Sequence, residues 1–172
     1  SNGDIILVTY SHNETYVNAT SLIYRLDVNG NIKWKKVVRF TDALGNVLHP
    51  AGETIRGLTE LPDGRFMIVG SKNGAPGTSQ SFLMVLDNTN GTSAPTIQYT
   101  EVYDLVNSNG FNDVVSDGYS CYITAHYYEG GGATKSKDAV WKYNPGSSSS
   151  DTMGTTIWRR VIDYASKNPI TN

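Results

Sequence analysis

The sequence predicts an all-β chain of stacked antiparallel sheets, and three observations carry that prediction. First, strand-like segments recur in a fixed order with turn chemistry at their ends; second, no window holds a 3.6-residue apolar period long enough for a helix. The third observation is that two of the recurring segments are apolar at consecutive positions, as in Ile5-Ile6-Leu7-Val8, Phe66-Met67-Ile68-Val69 and Phe82-Leu83-Met84-Val85-Leu86. A strand in a two-layer sandwich keeps one face in water and alternates, so such runs call for a sheet covered on both sides. A four-stranded sheet packed between two like sheets meets that need.

Taken in order, the first unit offers strands at Gly3–Ser11, Ser21–Asp27 and Ile32–Val37. The second offers Gly57–Asp63, Gly64–Lys72, Ser81–Asp87 and Ile97–Val102, and the third Phe111–Asp117, Gly118–His126, Asp138–Asn144 and Ile157–Ile162. Aligning Gly3, Gly64 and Gly118 superposes the units, and aligning Ile32, Ile97 and Ile157 superposes their last strands. Asp63-Gly64 and Asp117-Gly118 are short hairpin signals, and Asp27-Val-Asn-Gly-Asn31 reads as a tight turn that needs glycine. That last stretch also matches the start of a calcium loop, but Val38 stands where the loop's glutamate belongs. Last strands such as Ile32-Lys-Trp-Lys-Lys-Val37 alternate, which places them at a half-wet outer edge.

The stretch Leu26-Asp-Val-Asn-Gly-Asn-Ile-Lys-Trp34 resembles repeats of bacterial secreted or surface β-propeller proteins, including the quinoprotein-like type. The resemblance spans nearly the whole chain and implies a β-propeller-type architecture of four-stranded antiparallel blades. About three blades are expected, at 3–40 (lacking its inner strand), 55–104 and 110–163, with 164–172 as a connection. Closed propellers hold about four to eight blades, so the ring is expected to be incomplete, finished by further blades of a parent chain or by self-association through the end blades. Tyr143-Asn-Pro-Gly-Ser-Ser-Ser-Ser150 departs from the short turn of the other units, and no quinone- or metal-binding residue of that family can be matched.

Composition removes several function classes. With 14 Lys+Arg against 16 Asp+Glu the net charge is −2, and no stretch collects enough cations to neutralise a phosphate backbone, so no nucleic acid partner is expected. No apolar run approaches the roughly 20 residues of a membrane-spanning helix. The single cysteine, Cys121, sits in a strand-like setting and reads as a buried structural thiol. Catalytic motifs such as Gly-x-Ser-x-Gly, His-Glu-x-x-His and the phosphate-binding glycine loop are missing, and the acidic residues are too dispersed to name an acid–base pair.

Candidate binding residues lie where long connections share one rim of a rigid scaffold. These are Tyr16, His49, Glu53, His126, Tyr127 and Tyr128, with Arg56, Asn112 and Asp113 at the starts of inner strands near a central channel. Tyr and His can stack on a sugar or peptide and hydrogen-bond its edge, whereas the plainer role for the same aromatics is to pin loops onto the sheet. No catalytic residue, no metal site and no cofactor is assigned. The matches at Asn13, Asn18 and Asn90 to the glycosylation pattern are of a kind that Asn/Thr-rich loops produce by chance. The expectation is a non-catalytic, extracytoplasmic binding or scaffold module of a larger surface or secreted β-propeller protein, with a glycan or protein ligand. The alternative is a piece of a propeller enzyme (polysaccharide lyase, hydrolase or quinoprotein-like dehydrogenase) whose site other blades complete.

Overall fold

The computed structural model describes residues 3–11, 20–39, 53–73, 79–87, 93–103, 110–128, 136–147 and 154–162. Among them run β1 (Ile5–Ser11), β2 (Thr20–Leu26), β3 (Ile32–Val38), β4 (Glu53–Glu60), β5 (Phe66–Asn73), β6 (Ser79–Asp87), β7 (Thr96–Tyr103), β8 (Gly110–Ser116), β9 (Cys121–Tyr128), β10 (Ser136–Asn144) and β11 (Thr155–Ile162). They form three antiparallel sheets in which chain neighbours pair: β1-β2-β3, β4-β5-β6-β7 and β8-β9-β10-β11. No helix occurs among the described residues, and none is long and apolar enough to cross a membrane.

Local turn chemistry sets the meander. At the β2–β3 turn the Asp27 carboxylate accepts hydrogen bonds from the amides of Asn29 and Asn31, each at 2.9 Å, and from the Asn31 side chain. Gly30 closes the turn at φ 84°, a conformation that costs a residue with a Cβ. The turn's own donors thus occupy both oxygens of Asp27, which confirms the tight-turn reading. Asp117 does the same at the β8–β9 turn, accepting from the amides of Tyr119 at 2.8 Å and Ser120 at 2.7 Å. Hydrogen bonds from their own turns, led by Asn31 and Ser120 respectively, hold the Asp27 and Asp117 carboxyls below the usual range.

Stacking explains the double-sided apolar runs of β5 and β6, whereas on β1 only Ile6 and Val8 pack against a neighbouring sheet, and Ile5 and Leu7 are exposed, against the expectation of cover on both sides. One face of the second sheet, with Phe66, Ile68, Phe82, Met84 and Leu86, packs against Ile23, Trp34 and Val38 of the first. Its other face, with Met67, Val69, Leu83, Val85 and Tyr99, packs against Phe111, Ile123, Trp141 and Tyr143 of the third. Every residue from Ser81 to Leu86 is therefore buried, whereas β11 is exposed along its length. The second and third sheets approach closely between β4 and β8, where a Cβ on Gly57 would stand 2.7 Å from the Val114 amide nitrogen. Only glycine lets the two backbones come so near.

Pairing registers correct the sequence alignment of the third unit by one residue in two strands. Glu60 pairs with Phe66 across residues 61–65, but Ser116 pairs with Cys121 across 117–120, a loop one residue shorter. Cys121 therefore stands at the position of Phe66, where alignment on Gly64 and Gly118 sets it against Met67. Because side chains alternate, that single residue decides the face, and it turns Cys121, Ile123 and Ala125 toward the second sheet. In the last strands, Arg25↔Trp34, Val85↔Tyr99 and Lys142↔Trp158 each precede a bulge, which places Trp34, Tyr99 and Trp158 at one structural position. Alignment on Ile157 sets Arg159 there instead.

Candidate functional site

The edge strands β4 and β8 carry matching bulges. On β4 the pairing steps from Ile55↔Gly70 to Gly57↔Val69, leaving Arg56 out of register, and on β8 it steps from Phe111↔Ala125 to Asp113↔Thr124, leaving Asn112 out. A bulge re-aims the extra side chain away from the ladder, and both residues are exposed. The closely spaced strands bring them together: Arg56 Nη1 donates to Asn112 Oδ1 at 3.4 Å. Gly110 lies against the same guanidinium, with a would-be Cβ 3.6 Å from Arg56 Nε. The adjoining Asp113 carboxylate accepts from the Val114 amide at 2.8 Å. A guanidinium, an amide and a carboxylate thus share one exposed edge, a set able to pair with hydroxyl, carboxylate or peptide groups.

Of the sequence-predicted residues, Arg56, Asn112 and Asp113 are therefore brought together. His126 lies elsewhere, on the outer face of the third sheet, where its Nδ1 meets Asp138 Oδ1 at 2.7 Å. Glu53 lies on β4 opposite Lys72, and Tyr127 and Tyr128 lie on β9 opposite Lys137 and Ser136, with their side chains outside the described set. Tyr16, His49, the Asn13, Asn18 and Asn90 sequons and the glycine-rich stretch at 130–132 fall outside the described residues. Among the described residues no group of three or more His, Cys, Asp or Glu side chains is placed to hold a metal.

Sequence reading missed the company His126 keeps. On the same face Tyr122 meets Trp158 edge-on at 6.3 Å, Lys142 lies over Tyr122 at 5.4 Å and Arg160 lies over Trp158 at 5.4 Å. These residues come from three strands and share a face only in the corrected register. Cys121, by contrast, is fully buried, and burial pushes its thiol up to about 11, so it is held as an unreactive neutral thiol at neutral pH.

A scan against protein-family models finds none that matches this chain, and a search of curated proteins finds no match.

Proposed function

We propose that the chain is a non-catalytic, extracytoplasmic binding or scaffold module of β-propeller type, its three sheets acting as blades and its inner edge receiving a glycan or protein ligand. The observation that carries this reading is the Arg56–Asn112 contact, made by equivalent bulges on neighbouring inner strands. In a propeller, inner strands line the central channel, so bulged polar side chains there face whatever the channel admits. The covered faces of the second sheet and the close approach of β4 to β8 support the same arrangement. Arg56 supplies a planar cationic donor set and Asn112 a donor and an acceptor, which suits carboxylate-bearing sugars or peptide groups.

The test is a glycan array and a pull-down, each run with the native chain and with an Arg56→Ala/Asn112→Ala variant. Both residues are exposed, so the variant should keep its thermal melt while losing at least tenfold in binding. Equal binding by the variant would remove the inner edge as the site. Turnover of a small substrate, lost in that variant, would favour the enzyme alternative.

A further inference from the structure

At the β4–β8 edge a cation and a carboxylate stand close together without pairing. Elsewhere among the described residues such neighbours do pair: Arg25 and Lys33 close on Asp4 at 2.6 and 2.8 Å, and Arg65 closes on Asp63 at 2.8 Å. Asp113 is carried to this edge by the close approach of the two strands, its Cα 2.8 Å from where a Cβ on Gly57 would stand, one residue along from Arg56. Its carboxylate nonetheless accepts from the Val114 amide, and the Arg56 guanidinium gives one N–H to the Asn112 amide oxygen. Among the described residues neither charged group has a further hydrogen-bond or ion-pair partner, and both residues are exposed. Gly110 sets no side chain against the guanidinium, although a Cβ there would meet Nε only at an ordinary 3.6 Å.

This division of charge selects a ligand. A guanidinium with most of its N–H donors unused is a planar fork that fits a carboxylate, and the Asn112 amide group adds a donor beside it. An ionised Asp113 only accepts, so it calls for a donor and repels a second bare anion. The ligand that meets both demands carries a carboxylate and, next to it, hydroxyl groups. A neutral sugar leaves the guanidinium without its counter-charge, and an acidic side chain of a peptide brings no donor of its own to Asp113. An acidic sugar holds both on one ring.

We infer that the β4–β8 edge takes an acidic sugar chain, with a uronate carboxylate on Arg56 and Asn112 and a neighbouring ring hydroxyl on Asp113. This specificity rests on the binding role proposed above for the same edge. The three side chains come from two bulged strands of separate sheets, so their spacing is fixed by the packing of those sheets and not by a loop.

Calorimetric titration of the whole chain with a trimer of galacturonic acid, and with its methyl ester, tests this. The ester keeps the hydroxyls and loses the charges. The acid should bind at least about tenfold more tightly than the ester at low ionic strength, and salt should narrow the gap. Arg56→Ala should abolish the preference, and Arg56→Lys should keep part of it, since the charge remains and the fork does not. Asp113→Asn should weaken acid and ester alike, by about threefold, because a neutral acceptor holds a hydroxyl less strongly. Stronger binding of the acid by that variant would show that Asp113 merely repels it, and would overturn the assignment. Acid and ester bound equally, with both lost in Arg56→Ala/Asn112→Ala, would discard the acidic class while keeping the edge as a binding site. Binding of neither sugar would discard it too, and the pull-down would then decide whether the edge takes a protein. Acid binding untouched by the double variant would remove the edge itself, and the proposed function with it.

Discussion

The two inter-sheet contacts occupy equivalent surfaces yet are built from different chemistry. Between the first and second sheets the contact is hydrocarbon and aromatic, with Trp34 tilted on Phe66 at a centroid distance of 6.3 Å and the Ile55 amide donating to Ser21 Oγ at 3.0 Å. Between the second and third a polar network joins the apolar cluster. Glu101 accepts from both Tyr103 and Tyr143, and Tyr99 donates to the Pro145 carbonyl at 2.9 Å. Arg65, 2% exposed, is held by Asp63 at 2.8 Å, by Gln98 at 2.9 Å, and by the carbonyls of Pro145 and Gly146. The comparison teaches that a stacked sheet needs shape and dryness. The charged and phenolic groups of the second contact find partners there, whereas the Trp34 and Trp141 indole N–H groups and the Ser81 hydroxyl are buried without one, and the network adds direction and pH dependence to what is otherwise an apolar contact.

Three changes would break or sharpen that contrast. The largest effect is expected from Phe82→Ala, which empties a fully buried site in the apolar contact and should cost about 3–5 kcal/mol in urea denaturation. Hydrogen exchange should then rise across β1–β3 while β8–β11 keep their protection. Second comes Arg65→Met, similar in length but unable to donate, which removes the donors that Arg65 gives to Asp63, Gln98 and the Gly146 carbonyl and should cost about 2–4 kcal/mol. Its exchange should rise on the opposite side, at the third sheet, and equal loosening of both contacts would deny that the network belongs to one of them.

The smallest effect is expected from Tyr143→Phe, about 1–2 kcal/mol at neutral pH for one hydrogen bond to a carboxylate. Its use lies in the alkaline range. Burial first, and then the Glu101 carboxylate, raise the ionisation of Tyr143 and Tyr103 above the ordinary tyrosine value, and burial raises that of Tyr99. Groups raised in the folded state lend stability that is complete below the unfolded pKa, about 10, and is lost as pH climbs beyond it. Native stability should thus fall steeply above about pH 10, and Tyr143→Phe should fall less steeply. Identical profiles would remove Tyr143 from the alkaline transition.

How much of this was legible varies residue by residue. Phe82-Leu83-Met84-Val85-Leu86 announced a strand buried on both faces, because only a covered sheet tolerates such a run. Asp27-Val-Asn-Gly-Asn31 announced its turn, since the carboxylate and the positive-φ glycine act within a few residues. Arg56 and Asn112 were legible as residues near the starts of strands, but their meeting depends on two bulges and on Gly57, none visible as a periodicity. The His126–Asp138 pair was missed because the β8–β9 loop is one residue shorter than its counterpart, and the Trp158 face because alignment on Ile157 puts Arg159 where Trp158 stands. Matching the glycines made the strands look alike while reversing which side each residue faced.

Local chemistry, then, settled the strands, their order and their turns, because hydrogen-bonding side chains, glycine and apolar runs act over a few neighbouring residues. Tertiary structure alone decided the register of the third unit, the partners of Arg65 and Glu101, and which faces were left uncovered. Each of these turns on the pairing of residues far apart in the chain, and a strand's two-residue period makes a shift of one residue enough to exchange its buried and exposed sides.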